Sequence, residues 1–413
     1  MLRSDILNIT AIVAEYNPLH LGHKYHIDKA IKETSAEGLI CVISGNFMQR
    51  GMPAIIDKWE RTKMALENGI DLVIELPTLY ALSSAEFFSF GAVSLLNSLG
   101  IVNNISFGSE CGNVDFLLKI AKVLISEPSE YKVLLKNYLG LGLSYPVARS
   151  KALQFYLLKF GKIFTTGDLT NILHSSNNIL GIEYCKSLLL LHSNIKPHTL
   201  IRQGSIHNSL ALNNCYSSAT SIRNCIKENI TFDTLNHHVP PLVFKLLNEM
   251  KNINYDFVNE DSIIPFIKHK HFTSKNTLEL LPDASEGLHN KISKGLTNSE
   301  SFHELISFSK SKRYTYSRIS RILCQYFIGF DNYQTKVLRK SPCPYARILG
   351  LNSIGAEILK NAKKTSTIPI LIKLPKSLNE VLELDIQSTR AYSLINKNVK
   401  PQDDYLISPY ILK

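Results

Sequence analysis

The first half of the chain alternates short apolar segments with helix-length amphipathic stretches. Five segments have the length and apolarity of buried strands: Ile6–Ala14, Leu39–Ser44, Asp71–Leu76, Asn104–Phe107 and Thr199–Arg202. Strands that alternate with helices are typical of βαβ units, which build a parallel sheet covered by helices on both faces. The alternation therefore predicts an α/β fold around a Rossmann-like parallel sheet.

This pattern is broken at two places. Residues 113–161 interrupt it with helical patterns, which predicts a helical insertion. Around His237–Pro241 the alternation ends, and the stretches beyond have the length and amphipathic pattern of helices. Because 413 residues exceed what one core usually organises, we expect two domains. Residues 1–240 would hold the sheet, and residues 241–413 would be mainly α-helical.

Composition and cysteine usage exclude several classes of protein. No apolar run is long enough to cross a bilayer, and the first residues lack the zones of a signal peptide. The seven cysteines are scattered and form no Cys-x-x-Cys pair, which favours reduced thiols over a disulfide framework or a structural zinc site. We therefore expect a cytoplasmic protein without a metal site built from its own side chains.

A turn with two histidines lies between the first predicted strand and the first predicted helix, Lys24–Thr34. Its core is His20-Leu21-Gly22-His23. Gly22 would let the backbone approach a phosphate, the helix N-terminus offers N–H groups, and both imidazoles can donate to phosphate oxygens. This chemistry suits attack on the α-phosphate of a nucleotide, where charge builds on oxygen. The alternative is that His20 and His23 only cap or pack around the turn.

Polar motifs follow each predicted strand, at the edge where parallel sheets bind ligands. They are Glu15–His23, Ser44–Arg50, Glu75–Pro77, Gly108–Glu110 and Arg202–Gly204. Within the second motif, four side chains are candidates to orient a small acid substrate: Ser44, Asn46, Gln49 and Arg50. A solvated loop is the alternative for these four, and Asp57 is predicted to cap the next helix.

Two further segments combine a helix start with polar side chains. Asn177 and Asn178 stand together before a helical pattern, so that one can cap it while the other binds a ribose or base edge. Ser218, Ser221 and Arg223 place hydroxyls and a guanidinium at a later helix start, where they could hold the β- and γ-phosphates. Taken alone, the serine-rich segment could be a simple capping sequence.

The net charge of +11 is concentrated in the second half. From Leu242 onward, 25 basic and 16 acidic residues give +9. Between Lys310 and Arg347, nine basic residues face the single acid Asp331, and five tyrosines are interleaved. Cations beside rings that stack on bases are suited to RNA, although a solvated helical face is the alternative. The candidates for RNA contact are Lys310, Lys312, Arg313, Arg318 and Arg321.

Together the motifs carry a family resemblance that covers nearly the whole chain. The histidine turn and the serine-rich segment are similar to the two signatures of the nucleotidyltransferase superfamily. Seven segments in order resemble the bacterial tRNA(Met) cytidine acetate ligase family: Ala14–His20, Ser44–Lys58, Asp71–Pro77, Phe107–Glu110, Asn177–Tyr184, Ser218–Arg223 and Asp385–Tyr392.

The resemblance implies a two-step reaction. Acetate would attack the α-phosphate of ATP to give acetyl-adenylate and pyrophosphate. The exocyclic amine of the wobble cytidine in elongator tRNA(Met) would then take the acetyl group, giving N(4)-acetylcytidine and AMP. Mg²⁺ is expected to accompany ATP. Residues 1–240 would then be the nucleotidyltransferase domain, and 241–413 would bind the tRNA.

The resemblance also implies the residues of the site. His20, His23 and Arg223 are the expected catalytic residues. The ATP pocket is expected to consist of Val13, Ala14, Glu15, Tyr16, Asn17, Pro18, Leu19, His20, Leu21, Gly22, His23, Lys24, Tyr25, His26, Gly108, Asn177, Arg202 and Gln203, with Ser218 and Ser221 on the phosphates. The chain departs from the family at Leu21, usually asparagine, and at Ser176, often proline.

Two other functions remain open from the sequence. A nucleotidyltransferase that transfers an adenylyl or cytidylyl group to a small metabolite needs the same phosphate motifs, but it gives no role to a basic helical half. A tRNA-binding module with a vestigial nucleotide site is disfavoured, because both phosphate motifs are intact.

Overall fold

A computed structural model of the protein describes residues 7–160, 166–202, 217–228 and 232–413. Its centre is a mixed sheet, and the predicted α/β architecture is confirmed. The four predicted strands that begin in the described residues each overlap an observed strand, and the predicted and observed ends differ by at most three residues. Helix α1 begins at Leu21, three residues before the predicted start.

The sheet contains eight strands among the described residues, in the order β10-β8-β5-β2-β1-β6-β7, with β9 paired to β8. Neighbouring strands are parallel except β5 and β8, which are antiparallel. A separate hairpin joins β3 and β4. The strands are β1 (Ile9–Ala14), β2 (Gly38–Ser44), β3 (Phe47–Met48), β4 (Met52–Pro53), β5 (Leu72–Leu76), β6 (Asn104–Ser109), β7 (Lys196–Ile201), β8 (Ala346–Leu351), β9 (Ile370–Leu371) and β10 (Tyr410–Ile411).

The helices fill the connections between strands and most of the second half. In chain order they are α1 (Leu21–Thr34), α2 (Lys58–Leu66), α3 (Thr78–Ala81), α4 (Ala85–Leu99), α5 (Val114–Ser126), α6 (Ser129–Gly140), α7 (Tyr145–Phe160), α8 (Thr166–His174), α9 (Ser176–Leu190), α10 (Ala219–Glu228), α11 (Pro241–Asn252), α12 (Ile264–Thr273), α13 (Leu288–Asn298), α14 (Phe302–Ser309), α15 (Tyr316–Ile328), α16 (Thr335–Leu338), α17 (Ser353–Thr365), α18 (Glu380–Ser393) and α19 (Asp403–Leu406). No described helix has the length and apolarity needed to span a membrane.

The central strands are buried on both faces, as the alternation of the chain predicts. Every residue of β2 is buried, and successive residues enter different cores. Ile40 and Val42 pack in the core that holds α4, α9 and α15, whereas Cys41 and Ile43 pack in the core that holds α1 and α10. Two helical layers therefore enclose the sheet, and its carboxyl edge is left for the polar motifs.

The expected insertion at 113–161 contains three helices, α5, α6 and α7. With α8 and α9 they form the crossover that carries the chain from β6 to its parallel neighbour β7. Since a parallel pair requires a crossover, the insertion enlarges a connection that the topology needs.

The expected boundary near residue 240 does not separate the sheet from the second half. β8, β9 and β10 come from beyond residue 340 and extend the sheet from β5. A buried ion network holds them there: Lys58 pairs with Glu75 at 2.7 Å and with Asp404 at 2.8 Å, and Arg347 pairs with the same two carboxylates at 3.3 and 2.9 Å. The second half is mainly helical, but its last 70 residues help to build the sheet.

Candidate active site

The two histidines of the turn stack on each other at the N-terminus of α1. Their ring centroids are 3.7 Å apart, with 22° between the planes. Nδ1 of His20 accepts the Gly22 N–H at 3.1 Å, and Nδ1 of His23 accepts the His20 N–H at 3.3 Å. Because both Nδ1 atoms accept, each neutral ring carries its proton on Nε2. The histidines thus cap the helix through Nδ1 while each ring carries a proton on Nε2, so the capping and phosphate interpretations are compatible.

Gly22 has a steric role in this turn. A Cβ at this position would lie 3.0 Å from Cε1 and 3.1 Å from Nδ1 of His20. A side chain would therefore crowd the imidazole that caps the helix. Leu21, where the family usually has asparagine, begins α1, and its N–H donates to the His238 carbonyl at 3.1 Å.

Arg223 reaches the same turn from α10. One guanidinium nitrogen donates to the Asn17 carbonyl at 2.9 Å and the other to the Thr220 hydroxyl at 3.1 Å. Ser218 caps α10, since its hydroxyl accepts the Ser221 N–H at 3.1 Å. The structure therefore brings the serine-rich segment and the histidine turn together, although they are two hundred residues apart in sequence.

Glu15 is a partly buried carboxylate among several arginines at the end of β1. It accepts the Gln49 N–H at 2.6 Å. Burial raises the pKa of Glu15, while the Gln49 hydrogen bond and the charges of Arg50, Arg223 and Arg61 act in the opposite direction. Arg50 also donates to the Ser176 hydroxyl at 3.5 Å. The charge of Arg50 also acts on Arg202 and Arg223, and the three arginines make a positively charged region suited to phosphates and to a small carboxylate.

Ser44 and Asn46, the other two substrate-side candidates, lie inside the protein. Both are at most 1% exposed. The Asn46 carbonyl oxygen accepts the Lys58 N–H at 2.9 Å, and its amide donates to the Thr389 hydroxyl at 3.5 Å. Their expected role as an exposed polar surface for a substrate is therefore wrong, because both side chains are buried.

Arg61 is a site-organising residue that the sequence analysis missed. Its guanidinium is fully buried and donates to the carbonyl of Glu15 at 2.7 Å, to that of Ser44 at 3.0 Å, and to that of Gly45. It thereby satisfies backbone acceptors at the ends of β1 and β2. The signal available in the sequence was its position among apolar residues on the buried side of α2.

The second half of the pocket lies at the ends of β6 and β7. Glu110 accepts the N–H groups of Asn177 and Asn178 at 3.3 and 2.9 Å, so Glu110 caps α9 and the prediction that one asparagine does so is wrong. Asn178 instead accepts N–H groups of the loop after β6. Arg202 donates to the Asn177 side-chain oxygen at 2.8 Å, and a Cβ at Gly108 would lie 2.9 Å from Cγ of Arg202.

The remaining expected ATP contacts fall into three groups. Val13 and Ala14 end β1, and Tyr16, Asn17, Pro18 and Leu19 form the turn before α1. Lys24 and Tyr25 lie on α1, where Lys24 pairs with Asp28. Gln203 lies outside the described residues.

His26 is oriented toward the sheet. Its Nε2 lies 3.1 Å from the Ser106 hydroxyl. Burial, together with the charge of Arg202, lowers the pKa of His26 to about 4. At neutral pH this histidine is therefore uncharged, which suits a hydrogen bond better than an ion pair with phosphate.

Ion pairs alter the expected basic surface. Arg321 is buried and pairs with Asp283 at 3.7 Å, so its assignment as a tRNA contact is wrong. Arg318 and Arg313 contact Glu286 at 3.5 and 2.9 Å. Lys310 and Lys312 are exposed. Asp283 and Glu286, the acids in these pairs, lie outside the segment from Lys310 to Arg347, in which Asp331 is the single acid.

The described residues contain no group of three or more histidine, cysteine, aspartate or glutamate side chains that could hold a metal ion.

Comparison with known proteins identifies related sequences and structures over nearly the full length of the chain. The family model described as HIGH Nucleotidyl Transferase matches residues 7–405. The tRNA(Met) cytidine acetate ligases of Clostridium novyi and Clostridium kluyveri are 56% and 52% identical over 98% of this chain, and the matches cover 100% and 99% of those proteins. The crystal structure of Thermotoga maritima TmcAL bound with alpha-thio ATP matches 98% of this chain and 100% of its own, with a TM-score of 0.88 and 31% identity.

Proposed function

The chain belongs to the HIGH nucleotidyl transferase family and, within it, to the tRNA(Met) cytidine acetate ligases, and from this premise we propose how its residues carry out the reaction. The enzyme uses ATP to join acetate to a cytidine of tRNA(Met). We propose that the reaction proceeds through acetyl-adenylate and ends on the N4 amine of the wobble cytidine of the elongator tRNA. The histidine pair, with both Nδ1 atoms engaged by backbone N–H groups, is the observation that supports this most directly.

In the first step an acetate oxygen attacks the α-phosphorus, and the bond to the β-phosphate oxygen breaks to release pyrophosphate. Negative charge grows on the phosphate oxygens. Nε2–H groups of His20 and His23 and the Arg223 guanidinium supply donors on one side of the group that reacts, and the positive end of the α1 dipole adds to their effect. Since backbone contacts hold both rings, these donors need little reorganisation as the charge develops.

The acetate is proposed to lie beside Arg50. The Glu15 carboxylate holds the Gln49 backbone at 2.6 Å and neighbours the Arg50 guanidinium. Glu15 is therefore a positioning residue, which orients the segment after β2. The arginine charge would offset the repulsion between an acetate anion and a triphosphate.

The nucleoside is proposed to bind against Asn177 and Arg202. Glu110 fixes the Asn177 amide at 2.7 Å, and Asn177 in turn accepts from Arg202 at 2.8 Å. This chain of polar groups at the ends of β6 and β7 can exchange partners with a ribose hydroxyl or base edge. Gln203 stays an expectation from the family.

In the second step the cytidine amine attacks the carbonyl carbon of acetyl-adenylate, the bond to the phosphate oxygen breaks, and the nitrogen loses a proton as AMP leaves. We propose that Mg²⁺ arrives with ATP and binds mainly through its phosphates and waters, because Mg²⁺ retains water and needs few protein carboxylates. As a tRNA-modifying enzyme, the protein is proposed to act in the cytoplasm.

The test is incubation of the purified protein with ATP, labelled acetate and bulk tRNA, followed by nucleoside analysis. We expect labelled N(4)-acetylcytidine in the elongator tRNA(Met) fraction, and none when ATP, acetate or magnesium is omitted. Absence of acetylcytidine with all components present would overturn the proposal. Nucleotide transfer to a small acceptor without tRNA would support the metabolite alternative instead.

A further inference from the structure

Helix α7 exposes large aromatic side chains on a part of the enzyme that has no assigned role. Tyr145, Phe155 and Phe160 are 56%, 50% and 45% exposed. Aromatic rings of this size are usually buried, and an exposed group of them marks an interaction site.

Lysines are interleaved with these rings. Residues 129–160 carry five basic side chains and the single acid Glu130, but Lys132 and Arg149 pair with acids outside this segment. The other three, Lys136, Lys151 and Lys159, are exposed. On α7, Lys151, Phe155 and Lys159 follow each other at intervals of four and therefore share one exposed face of the helix. The Lys159 ammonium lies 5.3 Å from the Phe160 ring centroid, so charge and aromatic surface are adjacent.

The neighbouring helix α6 continues this surface. Lys136 is exposed on α6, and the Lys151 ammonium of α7 lies 5.9 Å from the ring centroid of Tyr138 on α6. The two helices pack through Tyr131 and the partly buried Tyr156, whose ring centroids are 6.4 Å apart, and the Tyr156 ring also lies 4.9 Å from that of Phe160. We call Lys136, Tyr145, Lys151, Phe155, Lys159 and Phe160 the α6–α7 surface.

The α6–α7 surface is anchored to the helices that lead into the nucleotide pocket. Arg149 of α7 pairs with Glu183 of α9 at 2.6 Å, and Gln154 of α7 contacts Thr170 of α8 at 2.8 Å. Helix α9 begins at Ser176, which accepts from Arg50 in the site. The α6–α7 surface is therefore connected to the β6–β7 side of the pocket, and it is not part of the basic segment 310–347.

We propose that the α6–α7 surface binds RNA, as a second contact region for the tRNA substrate. Lysines that neutralise phosphates next to rings that stack on unpaired bases are the combination that single-stranded or looped RNA requires. The inference rests on the proposed function, because it takes the bound RNA to be the tRNA that is acetylated. Contact from this side would hold the RNA on the insertion while the cytidine enters the pocket.

The first test compares two triple variants. K136A/K151A/K159A removes the lysines of the surface, and K360A/K363A/K364A removes three exposed lysines of α17, which packs against β2 and β5, as a charge-matched control. We expect the surface variant to bind tRNA about tenfold more weakly. Its slope of log affinity against log salt should also fall by about 0.7–0.9 for each phosphate that the variant no longer neutralises. The control should bind like the parent protein.

The second test removes the rings but not the charges. In F155A/F160A the loss of stacking is expected to weaken tRNA binding about tenfold, with the salt slope unchanged. ATP–pyrophosphate exchange with acetate, which needs no tRNA, should stay at the parental rate in every variant.

Three outcomes would overturn either the inference or the proposed function on which it rests, and they can be told apart. If the parent protein makes acetylcytidine while both variants of the surface bind tRNA normally, the inference is wrong and the function stands. If the variants bind tRNA normally but change the oligomeric mass in light scattering, the surface is a contact between copies of the chain. If the parent itself makes no acetylcytidine, the proposed function has failed.

Discussion

Lys58 at the start of α2 forms an ion pair with Asp404 of α19, with 2.8 Å between the ammonium nitrogen and a carboxylate oxygen. Both side chains are at most 1% exposed, and both take part in the network with Glu75 and Arg347. The backbone N–H of the same Lys58 donates to Asn46 in the segment after β2. The last residues of the chain are thus connected to the strand end that carries Gln49 and Arg50.

Removing one member of this network should strongly destabilise the fold. In D404N, Lys58 and Arg347 keep their charges but lose a buried carboxylate, and breaking a buried pair costs about 3–5 kcal/mol. We expect a large fall in the free energy of unfolding measured by urea titration. The control E249Q breaks the exposed Lys245–Glu249 pair and should change it by less than about 1 kcal/mol. An equal effect of the two variants would contradict a structural role for the network.

Asp385 should make stability depend on pH. Burial and the nearby Glu75 raise the pKa of Asp385 to about 7, against the hydrogen bonds from Tyr345 and Thr78 and the charge of Lys58. The unfolded carboxyl titrates near 3.9. Between these values the folded protein retains a proton on Asp385 that the unfolded chain has lost, so the contribution of Asp385 to stability falls as pH rises from about 4 to about 7.

The measurement is the free energy of unfolding against pH for the parent protein and D385N. The variant should be less stable, since an amide cannot accept both hydrogen bonds, and the difference between the two curves should shrink as pH rises from 4 to 7. Parallel curves would contradict the shift. Protonation of Asp404 does not affect stability between pH 4 and 7. The charges of Lys58 and Arg347 outweigh the effect of burial and lower the pKa of Asp404 to about 2.

The H23A variant tests the role of the histidine pair in activation. Loss of one donor to a developing phosphate charge typically costs about a hundredfold or more in rate. We expect ATP–pyrophosphate exchange with acetate to fall by at least that factor. H303A, which alters an exposed histidine on α14, is the control and should exchange normally. Near-parental exchange by H23A would remove His23 from the mechanism.

The R223A variant tests whether Arg223 binds the triphosphate of ATP. The loss of a charge-assisted hydrogen bond costs about 1.5–3 kcal/mol, which corresponds to roughly ten- to a hundredfold in ATP affinity. Calorimetric titration with ATP gives the measurement, and R223K separates charge from geometry, because lysine restores the charge without the paired donors. ATP binding by R223A at parental strength would leave Ser218 and Arg223 with a structural role only.

The sequence predicted the parts of this molecule that local periodicity determines. The strands from β1 to β7 that form the main sheet follow from apolar segments between helical patterns, and the histidine turn follows from its place between β1 and α1. Contacts across long separations were not predictable in this way. Glu110 caps a helix that begins 66 residues later, and β8 joins β5 from more than 270 residues away.

The same reason explains the errors at single residues. Periodicity placed Ser44 and Asn46 at the end of β2 but could not show that α2 and α18 cover them. The charge balance between Lys310 and Arg347 could not show that Asp283 and Glu286 fold against the arginines. Burial and ion pairing arise from tertiary packing, which a single sequence does not display.

The basic segment should separate into residues that bind RNA and residues that stabilise the fold. Lys310 and Lys312 are exposed, whereas the Arg321 guanidinium is buried between Asp283 and the positive charges of Arg339 and Arg318. We expect K310A/K312A to weaken tRNA binding several-fold at low salt, with an unchanged melting temperature. R321A should instead lower the melting temperature, because Asp283 loses one of its buried partners. Filter binding and thermal unfolding on the same preparations give both quantities.

A stable R321A variant that no longer binds tRNA would show that Arg321 contacts the RNA after all. Normal tRNA binding by K310A/K312A would exclude the two lysines from the RNA surface.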